Sequence, residues 1–128
     1  MKLDHITINV TDLEASRKFY GDVLGLKPLP TVDMGDHELW YFDLGGGVML
    51  ELILYKDDQP EIHPAVKTRG IYRHFALAVD DLDALYEKLV AAGTKILSEP
   101  DYISKLKFRN ILIQDPNGVE IEIVQRDK

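Results

Sequence analysis

The feature that most constrains the fold of this chain is an internal repeat. The stretch HITINVTDLEASRKFYGDVLG, which begins at His5, is similar to HFALAVDDLDALYEKLVAAG, which begins at His74, at an offset of 74 − 5 = 69 residues. The stretches GVMLEL and GVEIEI form a second similar pair, and they place Glu51 and Glu122 at an offset of 122 − 51 = 71. Such self-similarity indicates one supersecondary unit that occurs twice. One histidine and one glutamate therefore recur at equivalent places in two half-chains.

Both halves predict the same order of elements. Residues 3–10 alternate between apolar and polar side chains, which is typical of a strand with one buried face, and residues 75–79 do the same. An amphipathic helix follows each strand, the first with a capping box over residues 11–14 and an end at Gly25, the second running from Asp80/Asp81 to Gly93. Further strands are predicted around 38–44 and 48–55, and near 94–98, 107–114 and 119–125. The repeated unit is β-α-β-β-β.

The two halves are separated by KDDQPEIHPAVKTRG, a polar stretch that contains two prolines. We expect one domain over residues 1–128, made of a module 1–56 and a module 70–128 that a connector over 57–69 joins. The expected fold class is α+β, with two tandem βαβββ modules that form an open, cupped mixed sheet.

The repeated histidines and glutamates share one side of the predicted sheets. Successive side chains of a strand point to opposite faces. Glu51 and Glu122 lie opposite the leucines and isoleucines of their strands, and His5 and His74 lie opposite the apolar positions of theirs. If the two modules pair their sheets about a pseudo-twofold axis, these four side chains line a common cleft.

Two imidazoles and two carboxylates suit a divalent ion of the first transition row, and four protein ligands leave coordination positions open for water or substrate. The ion also supplies the charge that two glutamates in a partly desolvated cleft require. The alternative is that the four residues are ordinary solvated strand residues, as isolated His and Glu residues usually are. Their recurrence at repeated positions favours the metal site.

Three further residues bear on this assignment. Glu120 shares the face of Glu122 and is a rival ligand, but its counterpart in the first half is Met49, which favours Glu122. His37 and His63 lie outside the repeat in loop-like surroundings, and we interpret both as solvated.

Composition excludes several classes of function. The net charge of −7 argues against nucleic acid or an anionic membrane as the main partner. The absence of cysteine excludes disulfides, thiolate metal sites and a cysteine nucleophile. No apolar run approaches the roughly 20 residues of a membrane span, and the N-terminal stretch MKLDHITINV has no secretion-signal pattern. We therefore expect a cytoplasmic protein.

At these residues the sequence resembles the vicinal oxygen chelate superfamily, the group of glyoxalase I, bleomycin-resistance proteins and extradiol dioxygenases. The resemblance is carried by LDHITINVTDLEASRKFYGDVLGL, RHFALAVDDLDALYEKLVAAG and DPNGVEIEI, and it covers nearly the whole chain. The chain is most similar to glyoxalase I-like (lactoylglutathione lyase-like) members, whose four-ligand pattern falls on His5, Glu51, His74 and Glu122. Extradiol dioxygenases and fosfomycin-resistance transferases typically use two histidines and one glutamate. Glu51 is therefore the discriminating residue.

The resemblance implies a divalent-metal-dependent lyase that isomerises a small thiol–aldehyde adduct, of the methylglyoxal hemithioacetal type, through an enediolate. The implied cofactor is one ion of nickel, zinc, cobalt, iron or manganese, bound in the cleft of the cupped sheet. By the same analogy Glu122 is the base that moves the proton between neighbouring carbons, and Glu51 is a ligand that exchanges protons on the opposite side.

The resemblance also implies partners and substrate contacts. A small-molecule substrate, with or without a thiol cosubstrate, and a homodimer are expected. Glutathione-using members often have an arginine where this chain has Asn9, so the identity of the thiol is left open. The positions expected to contact the substrate are Asn9, Arg69, Lys105, Lys107 and Arg109. Two alternatives on the same fold are a non-haem iron dioxygenase and a non-catalytic small-molecule binding or resistance protein.

Overall fold

Each copy of the repeat begins as a strand and continues into a helix whose first turn is capped by an aspartate. A computed structural model of the chain describes residues 1–56 and 70–127. The chain divides into two units, Met1–His63 and Pro64–Lys128, and each unit carries one copy of the repeat. The expected connector over 57–69 lies outside the described residues.

The first unit is built around one mixed sheet. Its elements are β1 (His5–Asn9), α1 (Leu13–Arg17) with a π-helical continuation Lys18–Val23, β2 (Lys27–Pro28), β3 (Val32–Asp33), β4 (His37–Gly45) and β5 (Val48–Tyr55). The strand order is β1-β5-β4-β2, and β3 also pairs with β4. β1 and β5 run parallel, whereas the other pairs are antiparallel.

The second unit repeats this plan with four strands. Its elements are β6 (Phe75–Ala78), α2 (Leu82–Ala91), β7 (Lys95–Ile103), β8 (Phe108–Gln114) and β9 (Glu120–Arg126). The strand order is β6-β9-β8-β7, with β6 and β9 parallel and the other pairs antiparallel. The predicted α+β class is confirmed.

The helix starts show how closely the two copies agree. The Asp12 side chain accepts a hydrogen bond from the backbone N–H of Ala15 at 3.1 Å, and the Asp81 side chain accepts one from Ala84 at 3.0 Å. Both caps stand three residues before the N–H that they satisfy, as N-cap aspartates do. The capping box expected over 11–14 is thus replaced by a cap at Asp12.

The first helix departs from the expected α-helix over its last turn. Leu24 N–H donates to the Phe19 carbonyl at 2.9 Å, which is the five-residue spacing of a π-helix. Gly21 lies in this turn against the Phe42 ring, where a Cβ would come within 3.3 Å of Cε1. The missing side chain lets the widened turn approach β4 closely. Phe19, Tyr20 and Val23 of this π-helical turn are buried, and the ring centroids of Tyr20 and Phe42 lie 6.2 Å apart.

Each sheet has one apolar face that forms the core of its unit. The buried side chains of the first unit include Ile8, Val10, Phe42, Leu50 and Leu52, and those of the second include Leu82, Leu89, Ile111, Ile113, Ile121 and Ile123. Burial of each such side chain stabilises the folded state by about 1.5–3 kcal/mol relative to leaving it exposed. The opposite faces carry the polar side chains of the repeat.

No helix within residues 1–56 and 70–127 has the length and apolar character to cross a membrane.

Candidate metal-binding residues

The two predicted glutamate ligands occupy equivalent register positions in the two sheets. Thr7 of β1 lies beside Glu51 of β5, and Ala76 of β6 lies beside Glu122 of β9. The offsets, 76 − 7 = 69 and 122 − 51 = 71, are those of the sequence repeat. Tyr41 and Leu112 lie beside the two glutamates on the other side, at an offset of 112 − 41 = 71. The structure therefore brings His5 and Glu51 to one sheet face of the first unit, and His74 and Glu122 to the same face of the second.

Glu51 is held by hydroxyl groups from both neighbouring strands. Thr7 Oγ1 donates to Glu51 Oε1 at 3.0 Å, and the Tyr41 hydroxyl donates to Glu51 Oε2. The glutamate is only 9% exposed, so these donors compensate for much of the hydration it has lost. The hydrogen bond to Glu51, together with burial, raises the pKa of Tyr41 to about 12. The phenol therefore keeps its proton at neutral pH and remains a donor.

His5 is positioned by the residue before it. Its Nδ1 lies 2.7 Å from Asp4 Oδ2, and this hydrogen bond raises the pKa of His5. A carboxylate can only accept, so Nδ1 carries the hydrogen and the neutral ring presents a free Nε2 lone pair. A carboxylate behind a histidine in this way is a common arrangement in protein metal sites. His5 is half exposed, so its Nε2 can be reached from outside the unit.

In the second unit the histidine and the glutamate lie next to each other without a hydrogen bond. His74 Nε2 is 3.9 Å from Glu122 Oε1, and Asn110 Nδ2 donates to Glu122 Oε2 at 2.9 Å. His74 Nδ1 is buried, and it has no partner among the residues that the structure describes. Two ligand atoms about 2.1 Å from one ion lie roughly 3–4 Å apart. The spacing of this pair and its nitrogen and oxygen donors therefore fit a divalent transition-metal ion.

Each unit holds one pair of candidate ligands. Within residues 1–56 and 70–127, no group of three or more His, Asp or Glu residues is arranged to hold a metal ion. His5 with Glu51, and His74 with Glu122, are two separate pairs of one unit each.

Glu120, the alternative ligand to Glu122, forms an ion pair with Arg73. The Arg73 guanidinium donates to Glu120 Oε2, and the glutamate is 6% exposed. A carboxylate that is buried and neutralised by an ion pair has less to gain from an ion than Glu122 has. The geometry thus agrees with the sequence argument that favours Glu122.

The described positions that are expected to contact the substrate belong to both units. Asn9 ends β1 on the face of His5 and is exposed. Lys105 and Lys107 lie in the exposed turn between β7 and β8, and Arg69 lies outside the described residues. Arg109 forms an ion pair within the second unit. It lies on the face of β8 opposite Asn110, and its guanidinium donates to both carboxylate oxygens of Asp83 at 3.0 and 2.7 Å.

Of the two histidines outside the repeat, only His37 is among the described residues. His37 Nδ1 lies hydrogen-bonded to the Asp36 carboxylate in the first unit. His63 lies outside the described residues.

A cavity of about 420 Å³ lies elsewhere in the first unit. It is bounded by the first helix with its π-helical turn, the segment 28–31 and β4, and Tyr41 is among its lining residues. Arg17 lies over the Trp40 ring there, 4.8 Å from its centroid.

The chain belongs to the Glyoxalase/Bleomycin resistance protein/Dioxygenase superfamily, whose family model matches residues 2–123. It is 28% identical to the lactoylglutathione lyase of Haemophilus influenzae over 98% of this chain and 93% of that protein. It is 31% identical to the metallothiol transferase FosB of Shouchella clausii over 94% of this chain and 77% of the other. It is also 30% identical to a probable chloroplastic lactoylglutathione lyase of Arabidopsis thaliana over 95% of its own length, which spans 35% of that protein.

A solved structure supports the same family. The trypanothione-dependent glyoxalase I of Leishmania major matches with a TM-score of 0.74 and 27% identity, over 98% of this chain and 86% of that one. The predicted membership of the superfamily is confirmed. Its members include enzymes of more than one reaction type, so the reaction of this chain must be argued from its residues.

Proposed function

We propose that this protein is a divalent-metal-dependent lyase of the glyoxalase I type that isomerises a small thiol–aldehyde adduct. The observation that carries the proposal is the second glutamate. Glu51 occupies in the first unit the register position that Glu122 occupies in the second, and each has a histidine of its own unit on the same face. The proposed ligands are His5, Glu51, His74 and Glu122, from one chain or from two chains of a homodimer. A cytoplasmic setting belongs to this proposal.

The roles of the residues follow from their surroundings. A bound divalent ion supplies Lewis-acid stabilisation of the negative charge that develops on the substrate oxygens. Glu122 removes the proton from the carbon next to the carbonyl and returns it to the neighbouring carbon, so the product differs only in the position of two hydrogens. Its Oε1 is not engaged by the Asn110 amide, which bonds Oε2.

Polar residues of β1 and of the turn between β7 and β8 are the proposed contacts for the substrate. Asn9 can donate to a polar group of the thiol portion, and Lys105 and Lys107 can pair with an anionic group. Arg109 is less suited to such a contact, because its guanidinium already donates to Asp83.

A second candidate is a metal-dependent thiol transferase. It is favoured by the similarity to FosB. In that case His5, His74 and Glu122 form a three-ligand site, and Glu51 is a structural carboxylate.

The test is turnover of the metal-loaded protein. Methylglyoxal is supplied with glutathione and with other thiols, in the presence of nickel, zinc, cobalt or manganese, and thioester formation is followed. We expect activity that depends on the added metal and is lost in Glu122→Gln. Thiol addition to fosfomycin, without methylglyoxal turnover, would instead select the second candidate. Oxygen uptake with a catechol would point to a dioxygenase, and no reaction with any pairing would refute the lyase assignment.

A further inference from the structure

We propose that Thr7 and Tyr41 are positioning residues that fix Glu51 as a metal ligand and thereby make the two repeated glutamates unequal. This inference rests on the proposed function, because it assumes that Glu51 binds the ion. It assigns a role to two side chains that lie outside the four-ligand set.

The first argument is the geometry around Glu51. Its two carboxylate oxygens each accept one hydroxyl hydrogen bond, from strands on opposite sides of β5. A carboxylate oxygen has two lone-pair directions, so each oxygen keeps one for an ion. Rotation of the carboxylate would break both hydrogen bonds at once. The group is therefore held in a single orientation before an ion arrives.

The second argument is that both donors are themselves fixed. Thr7 stands directly beside Glu51 in the parallel β1–β5 register, and its branched side chain has few rotamers. Tyr41 stands directly beside Glu51 in the antiparallel β4–β5 register. Its backbone carbonyl also accepts from Leu29 N–H at 2.9 Å, which ties this part of β4 to the neighbouring segment. Both hydroxyls therefore belong to side chains whose backbone is fixed by strand pairing.

The third argument is the contrast with the other half of the repeat. Ala76 and Leu112 stand where Thr7 and Tyr41 stand, and neither has a hydrogen to donate from its side chain. Glu122 has one side-chain donor, Asn110, and its side chain is 17% exposed. A general base must reach the substrate and change its proton occupancy, whereas a ligand gains from being held. Because of this asymmetry, we assign Glu51 as the fixed metal ligand and Glu122 as the general base.

The experiment measures metal affinity, by competition with a chromophoric chelator, in variants that remove one hydroxyl each. Tyr41→Phe and Thr7→Val keep the shape of the side chains. We expect each to weaken metal binding roughly tenfold, which is the lower end of the range for losing a residue that hydrogen-bonds a metal ligand. Thr7→Ser retains the donor and should bind like the wild type. The visible absorption spectrum of the cobalt-loaded protein should change in Tyr41→Phe and Thr7→Val but not in Thr7→Ser.

The repeat also offers a variant that adds a hydroxyl group beside the second glutamate instead of removing one beside the first. Ala76→Thr places a hydroxyl beside Glu122, at an exposed position that mirrors Thr7. We expect it to lower kcat without weakening metal binding, because it restrains the base and leaves the ligand set intact.

The outcomes separate this inference from the proposed function. If Glu51→Gln loses metal affinity while Thr7→Val and Tyr41→Phe keep it, the positioning role is overturned and the four-ligand site stands. If Glu51→Gln itself binds like the wild type, the four-ligand site and the positioning role both fail. Should Tyr41→Phe not fold, the comparison of Thr7→Val with Thr7→Ser still decides the question.

Discussion

Replacing Arg73 with methionine should destabilise the second unit without changing the shape of the side chain greatly. Arg73 donates to Glu120, which is 6% exposed, whereas the arginine side chain is 42% exposed. Breaking a fully buried ion pair costs about 3–5 kcal/mol, and a fully exposed pair contributes about 0–1 kcal/mol. A buried carboxylate with a half-exposed partner lies between these limits. We expect a loss of about 2 kcal/mol, which lowers Tm by roughly 6–10 °C in a chain of this size.

The assay is urea denaturation followed by far-UV circular dichroism, since the single tryptophan, Trp40, reports on the first unit alone. The double variant Arg73→Met/Glu120→Leu should recover most of the loss, because it removes the buried charge as well as its partner. Lys105→Met, at an exposed cation in a turn, is the matched control and should change little. If Arg73→Met is as stable as this control, the buried ion pair has no energetic role and the argument against Glu120 as a ligand is weakened.

Three further outcomes follow from the core, the caps and the surface charges. Leu52→Ala should cost about 2–5 kcal/mol in urea denaturation, since Leu52 is fully buried; a loss below 1 kcal/mol would contradict the core assignment. Asp81→Ala should cost about 1 kcal/mol, because α2 loses its N-cap, and Asp81→Asn should not. The ion pair with Arg109 lowers the pKa of Asp83, so it stabilises the fold above pH 4 and is lost as pH falls through the lowered pKa. Arg109→Met should therefore be less stable than the wild type at pH 7, and the difference should shrink at pH 3; a difference independent of pH would refute this.

The repeat allowed most of the fold to be predicted, because hydrophobic alternation and helix caps are local signals. The strands that carry Glu51 and Glu122 lie where expected, and the helix ends at Gly25 and Gly93 have the positive φ of 73° and 74° that favours glycine. The two-residue strands β2 and β3 leave no periodic pattern and were missed. The π-helical turn was missed because it depends on the contact of Gly21 with Phe42, which is distant in sequence.

The partners of the glutamates were harder to predict, because they depend on register across strands. A tight hairpin that pairs Gly45 with Val48 would place Phe42 beside Glu51 if the ladder continued without interruption. An irregularity between Asp43 and Gly45 shifts the register by one residue, so Tyr41 stands there instead. Such a bulge turns the opposite set of side chains toward the glutamate. The sequence alone gave no reason to expect it.

Arg109 illustrates a different limit. Its cationic side chain was assigned to the substrate on the basis of the loop and strand in which it lies. The face that it occupies was fixed only by the pairing of β8 with β9, which puts Arg109 beside Gln125 and Asn110 beside Val124. Alternation then places Asn110 on the Glu122 face and Arg109 on the other.

The most direct test of the central claim is metal binding by the purified protein and by three glutamate variants. Metal analysis and chelator competition are applied to the wild type, Glu51→Gln, Glu122→Gln and Glu120→Gln. The four-ligand site predicts about one divalent ion per site in the wild type, with affinity weakened by at least roughly tenfold in Glu51→Gln and Glu122→Gln and unchanged in Glu120→Gln. Undiminished affinity in Glu51→Gln would contradict the account, because the residue that distinguishes a glyoxalase-like site from a three-ligand site would then have no part in holding the ion.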